Sequence, residues 1–106
     1  NHKLKEFELL LEHYYKTEKS PSFYADKMAI TLKHLNRISK SILNVTITEL
    51  ITRRVILESK RIMVDRNKSI AQIADELGYA NYSYFSKLFK KNVGITPTEF
   101  VNTLKH

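Results

Sequence analysis

The second half of the chain repeats the pattern of the first half, so the sequence predicts a fold with two similar units. Residues 35–40, with the sequence LNRISK, resemble residues 85–90, with the sequence FSKLFK, at an offset of 50. The pattern Thr-x-x-Glu occurs at the same offset, at residues 46–49 and 96–99. This pattern is typical of a capping box, in which a hydroxyl and a carboxylate accept hydrogen bonds from backbone N–H groups at a helix start. Three further positions match at an offset of 49: Ala25, Met28 and Ala29 correspond to Ala74, Leu77 and Gly78.

The apolar residues are spaced as in helices along nearly the whole chain. Two glycines and two prolines are too few for the many turns of a β-sandwich or β-barrel. Polar breaks and capping residues divide the helical pattern into segments. We therefore predict an all-α protein of seven helices, at about residues 3–17, 21–29, 32–43, 48–64, 70–77, 82–92 and 97–104.

Each copy of the repeat has the features of a helix-turn-helix. A small residue, Ala25 in one copy and Ala74 in the other, lies in the first short helix and lets the second helix cross closely. We predict one domain over 1–106, composed of a first helix-turn-helix subdomain (1–47), a long linker helix (48–65) and a second helix-turn-helix subdomain (66–106).

The charge of the chain favours a polyanionic partner. The formal net charge is +7, and it is distributed as zero in residues 1–20, +3 in 21–47, +3 in 48–68 and +1 in 69–106. Basic excess of this kind suits nucleic acid, although basic proteins with other partners are common. The absence of cysteine excludes disulfides, thiolate zinc sites and cysteine nucleophiles. No apolar run approaches the ~20 residues that span a bilayer, and no signal peptide is visible. A start at Asn1 rather than Met predicts a fragment of a longer protein.

The second helix of each pair has one apolar and one basic face. We expect inward positions at Leu35, Ile38 and Ile42 in one copy and at Phe85, Leu88 and Phe89 in the other. The outward positions are Lys33, Asn36, Arg37 and Lys40, and then Ser83, Tyr84, Lys87, Lys90 and Lys91. Arginine can donate two hydrogen bonds to guanine and asparagine can pair with adenine in the major groove. The lysines at 40, 90 and 91 are better suited to phosphates, which position a protein without reading sequence.

Residues 70–100, IAQIADELGYANYSYFSKLFKKNVGITPTEF, closely resemble the DNA-binding signature of the AraC/XylS family of bacterial transcription regulators. The resemblance extends over about residues 5–104 and implies two helix-turn-helix subdomains that insert recognition helices into successive major grooves. It implies base contacts by Lys33, Asn36, Arg37, Ser83, Tyr84 and Lys87, and phosphate contacts by Asn81 as well as Lys40, Lys90 and Lys91. Four positions depart from the family pattern. Asn44 replaces a glycine, although asparagine tolerates the left-handed conformation that a helix stop needs. Ser39, Ser59 and Val101 replace an aromatic residue, an alanine and an arginine, respectively.

The resemblance also implies partners and a location. The expected function is sequence-specific binding of double-stranded DNA by a bacterial transcription regulator, an activator, that contacts RNA polymerase. A sensing or dimerisation domain is expected outside this chain. We expect a cytoplasmic, nucleoid-associated protein that needs no cofactor and makes no membrane contact through this segment.

Other functions fit the sequence less well. The four histidines, at 2, 13, 34 and 106, have no ligand-like spacing, so neither a metal site nor an enzyme is predicted. Tyrosines can stack on single-stranded bases, but most of the six are expected to pack in the protein, with Tyr82 and Tyr84 as exceptions. An RNA partner is disfavoured because paired helices fit the B-DNA major groove better. The main alternative is a helical protein-interaction module whose basic faces meet an acidic protein surface.

Overall fold

The computed structural model describes residues 1–65 and 67–104, and within them it confirms the all-α prediction. No strand occurs in this described part of the chain. The seven helices found there are α1 (His2–Tyr14), α2 (Pro21–Lys27), α3 (Leu32–Leu43), α4 (Ile47–Val64), α5 (Ile70–Glu76), α6 (Tyr82–Val93) and α7 (Pro97–Thr103). The first helix starts one residue before its predicted start and ends three residues before its predicted end, because the chain turns after Tyr14, whose carbonyl accepts from the Glu18 N–H at 2.8 Å.

The chain divides into two compact units, one from Asn1 to Arg54 and one from Val55 onward. The boundary falls inside α4, so this helix contributes residues to both units. The sequence-based division into 1–47, 48–65 and 66–106 stays a prediction.

The first unit has a core of aromatic and aliphatic side chains from α1 to α4. Phe7, Tyr24, Leu35 and Ile47 are fully buried, and the rings of Phe7 and Tyr24 meet edge to face with centroids 5.4 Å apart. The Tyr24 hydroxyl donates to the Glu18 carbonyl at 2.7 Å, which satisfies the polar end of a buried ring. Burial raises the pKa of Tyr24 to about 12, and the nearby charge of Glu18 acts in the same direction.

An ion pair joins α4 to α1 within this unit. The Arg54 guanidinium donates to both carboxylate oxygens of Glu12, at 2.8 and 2.9 Å. It also lies over the ring of Tyr15, 4.1 Å from the centroid. A planar guanidinium can make both contacts at once, whereas a lysine at position 54 could not make the paired hydrogen bonds.

The second unit has a core centred on α6. Phe85 and Phe89 are fully buried together with Ile73 and Leu77, and Phe89 meets Phe100 of α7 edge to face at 5.6 Å. The side chain of Glu58 is also buried, and Arg61 donates to both of its carboxylate oxygens at 2.7 and 2.8 Å. Because the pair is charge-assisted and doubly hydrogen-bonded, the buried carboxylate is compensated.

Four turn positions in residues 1–65 and 67–104 adopt a positive φ, and they correspond in pairs between the two units. Gly78 (φ 87°) and Gly94 (φ 99°) follow α5 and α6. Their counterparts are Ala29 (φ 56°) after α2 and Asn44 (φ 60°) after α3. Asparagine tolerates the left-handed conformation, so the helix stop predicted at Asn44 is confirmed. Ala29 is the exception, since alanine rarely adopts this conformation.

The structure shows both hydrogen bonds of the predicted capping box in the second unit and its hydroxyl half in the first unit. In the second unit the Thr96 hydroxyl accepts from the Glu99 N–H at 3.1 Å, and a Glu99 carboxylate oxygen accepts from the Thr96 N–H at 2.9 Å. In the first unit the Thr46 hydroxyl accepts from the Glu49 N–H at 3.1 Å. Among the described residues, no helix combines the length and the apolar character needed to cross a membrane.

Candidate nucleic-acid interface

The orientation of α3 is set by its caps and its inward side chains. The Thr31 hydroxyl accepts from the His34 N–H at 3.0 Å at the start of the helix, and Asn44 ends it in the left-handed conformation. Leu35 and Ser39 are fully buried, and the Ser39 hydroxyl donates to the Val45 carbonyl at 2.6 Å. The opposite face is exposed and carries the basic side chains Lys33, Arg37 and Lys40.

Helix α6 is built in the same way. The Asn81 side-chain oxygen accepts from the Tyr84 N–H at 3.1 Å, and Gly94 ends the helix. Phe85 and Phe89 point inward and are fully buried. The exposed face carries five predicted DNA-contacting residues: Ser83, Tyr84, Lys87, Lys90 and Lys91.

The two helices expose the same register of positions. Residues 33–42 and 83–92 have the same order of buried, half-buried and exposed side chains at all ten positions. Each helix therefore presents one outward face, and basic residues occur at equivalent places on it, as at Arg37 and Lys87 or at Lys40 and Lys90. The repeat that the sequence predicts is therefore also a repeat in the pattern of exposed side chains.

The basic side chains of these faces are available to a partner. In the described part of the chain, no carboxylate forms an ion pair with Lys33, Arg37 or Lys87. Lys90 is close enough to Glu99 to act on its carboxyl group. The pKa of Glu99 lies below its ordinary value, mainly because the carboxylate accepts from the Thr96 N–H, and the charge of Lys90 adds to this effect.

Two tyrosines of α6 are exposed, as predicted, with 43% of Tyr82 and 58% of Tyr84 accessible to solvent. The ring of Tyr84 lies against that of Tyr79, with centroids 5.8 Å apart. Burial raises the pKa of Tyr79 to about 12, and the neighbouring Tyr84 hydroxyl contributes. Tyr84 is therefore supported from one side while its other side faces solvent.

Nine of the ten predicted DNA-contacting residues have exposed side chains: Lys33, Arg37, Lys40, Asn81, Ser83, Tyr84, Lys87, Lys90 and Lys91. The tenth, Asn36, is half-buried, and its side-chain oxygen accepts from the Ile47 N–H at 2.9 Å. Asn81 is exposed, but its side-chain oxygen is also engaged, as the helix cap.

The prediction of which α3 side chains are buried is partly wrong. Ile42 is 50% exposed and Ile38 is half-buried, whereas Ser39, one helical turn after Leu35, is fully buried. Ile42 instead lines a cleft of about 250 Å³ beside Leu4 and Glu8 of α1. In α6, Leu88 was expected to be buried and is half-buried. Apolar spacing missed Ser39 because its hydroxyl is satisfied locally, which lets a polar residue occupy a core position.

Sequence reasoning also left out an exposed residue of the same face. His34 lies in the first turn of α3 and is exposed. Its counterpart at an offset of 50 is Tyr84, a predicted contact. The internal repeat, which aligns His34 with Tyr84, could therefore have indicated His34 from the sequence.

Comparisons with known proteins agree with this geometry. The model of the helix-turn-helix domain family matches residues 24–103. AdaA of Bacillus subtilis, named as a bifunctional transcriptional activator and DNA repair enzyme, is 39% identical over 67 residues, which are 63% of this chain and 32% of AdaA. This chain thus spans about a third of that relative.

Two solved structures share the fold along most of the chain. The C-terminal domain of the response regulator yesN from Fusobacterium nucleatum has a TM-score of 0.87 at 18% identity, over 95% of this chain and 99% of that domain. A transcriptional regulator from Chromobacterium violaceum, described with an AraC-type DNA-binding domain, has a TM-score of 0.85 at 22% identity, over 98% of this chain and 93% of that one. The chain belongs to the family of AraC-type helix-turn-helix domains.

Proposed function

We propose that this chain binds double-stranded DNA in a sequence-specific way, with α3 and α6 as recognition helices in successive major grooves, and that it serves a bacterial transcription regulator, an activator. The observation that supports this proposal best is the repeated exposed face, with cationic side chains at equivalent positions of two capped helices. A major groove is wide enough to admit one helix, and a face of this kind is what it would meet.

The side chains have different parts in the proposed complex. We assign base contacts to five of the predicted residues: Lys33, Arg37, Ser83, Tyr84 and Lys87. The Arg37 guanidinium can donate two hydrogen bonds to guanine, and Lys87 lies at the equivalent place in α6. Lys40, Lys90 and Lys91 lie toward the C-terminal ends of the helices, and we assign them to phosphates. Asn81 starts α6, and we assign it to a phosphate as well, through its side-chain amide or the helix N-terminus.

In vitro selection from randomised duplexes at moderate salt tests the proposal. Two enriched half-motifs about 10 base pairs apart, centre to centre, are the expected result for two recognition helices in adjacent grooves. A single enriched half-motif would mean that one unit alone reads bases. Failure to enrich any sequence would refute specific DNA reading by this chain.

Alanine variants of Arg37 and Lys87 test the assigned faces. Each should lower the affinity for the selected duplex by about 1–3 kcal/mol and relax preference at its own base position. Lys5→Ala is the matched control, because Lys5 is an exposed lysine of α1, a helix without an assigned contact. If both variants kept the affinity and base preference of the unmodified chain, the assignment would be wrong.

The second candidate function is a protein-interaction module, because exposed cationic faces also fit an acidic protein surface. Salt dependence does not separate the two functions, since both are electrostatic, whereas preference for one duplex sequence over another does. We propose no catalytic role for this chain. Contact with RNA polymerase, a sensing or dimerisation domain elsewhere in the protein, and a nucleoid-associated place in the bacterial cytoplasm stay predictions.

A further inference from the structure

The side chain of Asn36 already has a partner inside the protein. It is half-buried, and its oxygen accepts from the Ile47 N–H at 2.9 Å, across the loop that joins α3 to α4. Ile47 is the first residue of α4, and the first N–H groups of a helix have no partner within the helix. The side chain of Asn36 therefore caps the start of α4.

In the second unit, the equivalent helix start needs no side chain to accept a hydrogen bond. Pro97 stands at the position equivalent to Ile47, and proline has no N–H to satisfy. Ser86, which is shorter and also half-buried, stands at the position equivalent to Asn36. In α3 this position is directed toward the start of the following helix, and the equivalent position of α6 has the same half-buried exposure.

The base contacts predicted for α3 and for α6 occupy equivalent positions of the repeat except at one position. In α6 they are Ser83, Tyr84 and Lys87, whose counterparts at an offset of 50 are residues 33, 34 and 37. In α3 the predicted set contains Asn36 in place of His34. Position 34 lies on the other flank of the helix from position 36, because two residues turn an α-helix by about 200°. Two similar units that dock alike should use the same flank.

We infer that His34, and not Asn36, is the third DNA-contacting side chain of α3, with Asn36 as a positioning residue. This inference rests on the proposed function. His34 is exposed, and it lies in the first turn of α3, where recognition helices bring side chains to base edges. Its own N–H is held by the Thr31 hydroxyl at 3.0 Å, so the main chain at this residue is fixed. An imidazole can donate a hydrogen bond to a guanine acceptor or to a phosphate oxygen.

Binding measurements on the duplex selected by the unmodified chain test the inference. His34→Ala should lower affinity by about 5- to 100-fold and flatten the preference at one base position of one half-site. Asn36→Ser should leave the base-preference profile as it is while lowering thermal stability. His2→Ala is the matched control, since His2 is an exposed histidine at the start of α1, and it should change neither property.

A double-mutant cycle tests the positioning part separately. Ile47→Pro copies the second unit and removes the N–H that Asn36 accepts from, at a helix position that tolerates proline. In that background, Asn36→Ser should lose most of the stability effect that it has alone. An undiminished effect would overturn the assignment of Asn36 as the residue that caps α4.

The outcomes distinguish this inference from the proposed function. If the unmodified chain enriches no sequence, the proposed function and the inference both fail. If it enriches a motif that His34→Ala binds with unchanged affinity and profile, only the inference fails. If Asn36→Ser changed the base preference at unchanged stability, Asn36 would be a base-contacting residue, and the inference would likewise be overturned.

Discussion

Replacing Ala29 with glycine should make the protein more stable. Ala29 has φ 56° in the turn between α2 and α3, and the left-handed conformation costs an L-residue about 1–2 kcal/mol. Glycine adopts it without that cost, and Gly78 does so at the equivalent turn between α5 and α6. The substitution should therefore remove strain from the folded first unit.

The magnitude is a difference between two effects. Glycine gives the unfolded chain more freedom than alanine, which costs about 0.4–1 kcal/mol of stability. The Ala29 side chain is exposed, so its removal uncovers no core. The net gain for Ala29→Gly is then about 0.5–1 kcal/mol, or about 2–6 °C in the melting temperature of a domain of this size.

Urea and thermal unfolding followed by circular dichroism measure the effect. Ala71→Gly is the matched control, because Ala71 is an exposed alanine in α5, where glycine should cost about 0.5–1 kcal/mol. Gly94→Ala is the reverse test. At φ 99° an added Cβ meets no atom within 4 Å, so the expected loss of at least about 1 kcal/mol comes from the backbone alone. If Ala29→Gly destabilised as much as Ala71→Gly, the strain assigned to Ala29 would not exist.

Three further predictions concern single side chains. Lys40→Ala should weaken binding to every duplex alike and reduce the salt slope by about one, measured by fluorescence anisotropy over a range of salt, and an effect on one base position alone would contradict a phosphate contact. Tyr24→Phe should cost about 1 kcal/mol in urea unfolding at neutral pH, because the hydrogen bond to the Glu18 carbonyl is lost. With a folded pKa of about 12 against 10 for an ordinary tyrosine, Tyr24 contributes stability below pH 10 that is lost as pH rises toward 12, and this part of the alkaline loss should vanish in the variant. Since the folded pKa of Glu99 is lowered, its contribution is present above the ordinary carboxyl pKa and is lost as pH falls through the lowered value. Glu99→Gln keeps the capping bond to Thr96 and should lack that acid loss in unfolding measured from pH 7 to pH 2.

The sequence predicts the helices well because spacing, capping residues and the repeat all indicate the same segments. The left-handed stop at Asn44 could be predicted, since asparagine accepts that conformation on local grounds. Ala29 could not be predicted from its own identity, because alanine does not normally take a positive φ, and only its correspondence to Gly78 indicates one.

The exposed faces of α3 and α6 could be predicted from the sequence, but the surroundings of each residue on them could not. Periodicity places Asn36 and His34 on opposite flanks of α3, and it does not say which flank meets the next helix. That depends on a hydrogen bond to a residue eleven positions later, which spacing within one helix cannot reveal. Ser39 shows the same limit, because its inward place depends on the Val45 carbonyl in the following loop.

The different helix starts at Ile47 and Pro97 determine which of the two helices, α3 or α6, tolerates substitutions better. In the first unit, a change at position 36 leaves a main-chain N–H without its acceptor, so a combinatorial library that varies this position would contain destabilised members. In the second unit, Pro97 has no N–H that depends on position 86. A library that varies residues 83, 84, 86 and 87 should therefore contain a larger share of folded members. If the proposed function holds, α6 is the better starting point for redirecting the protein to new DNA sequences.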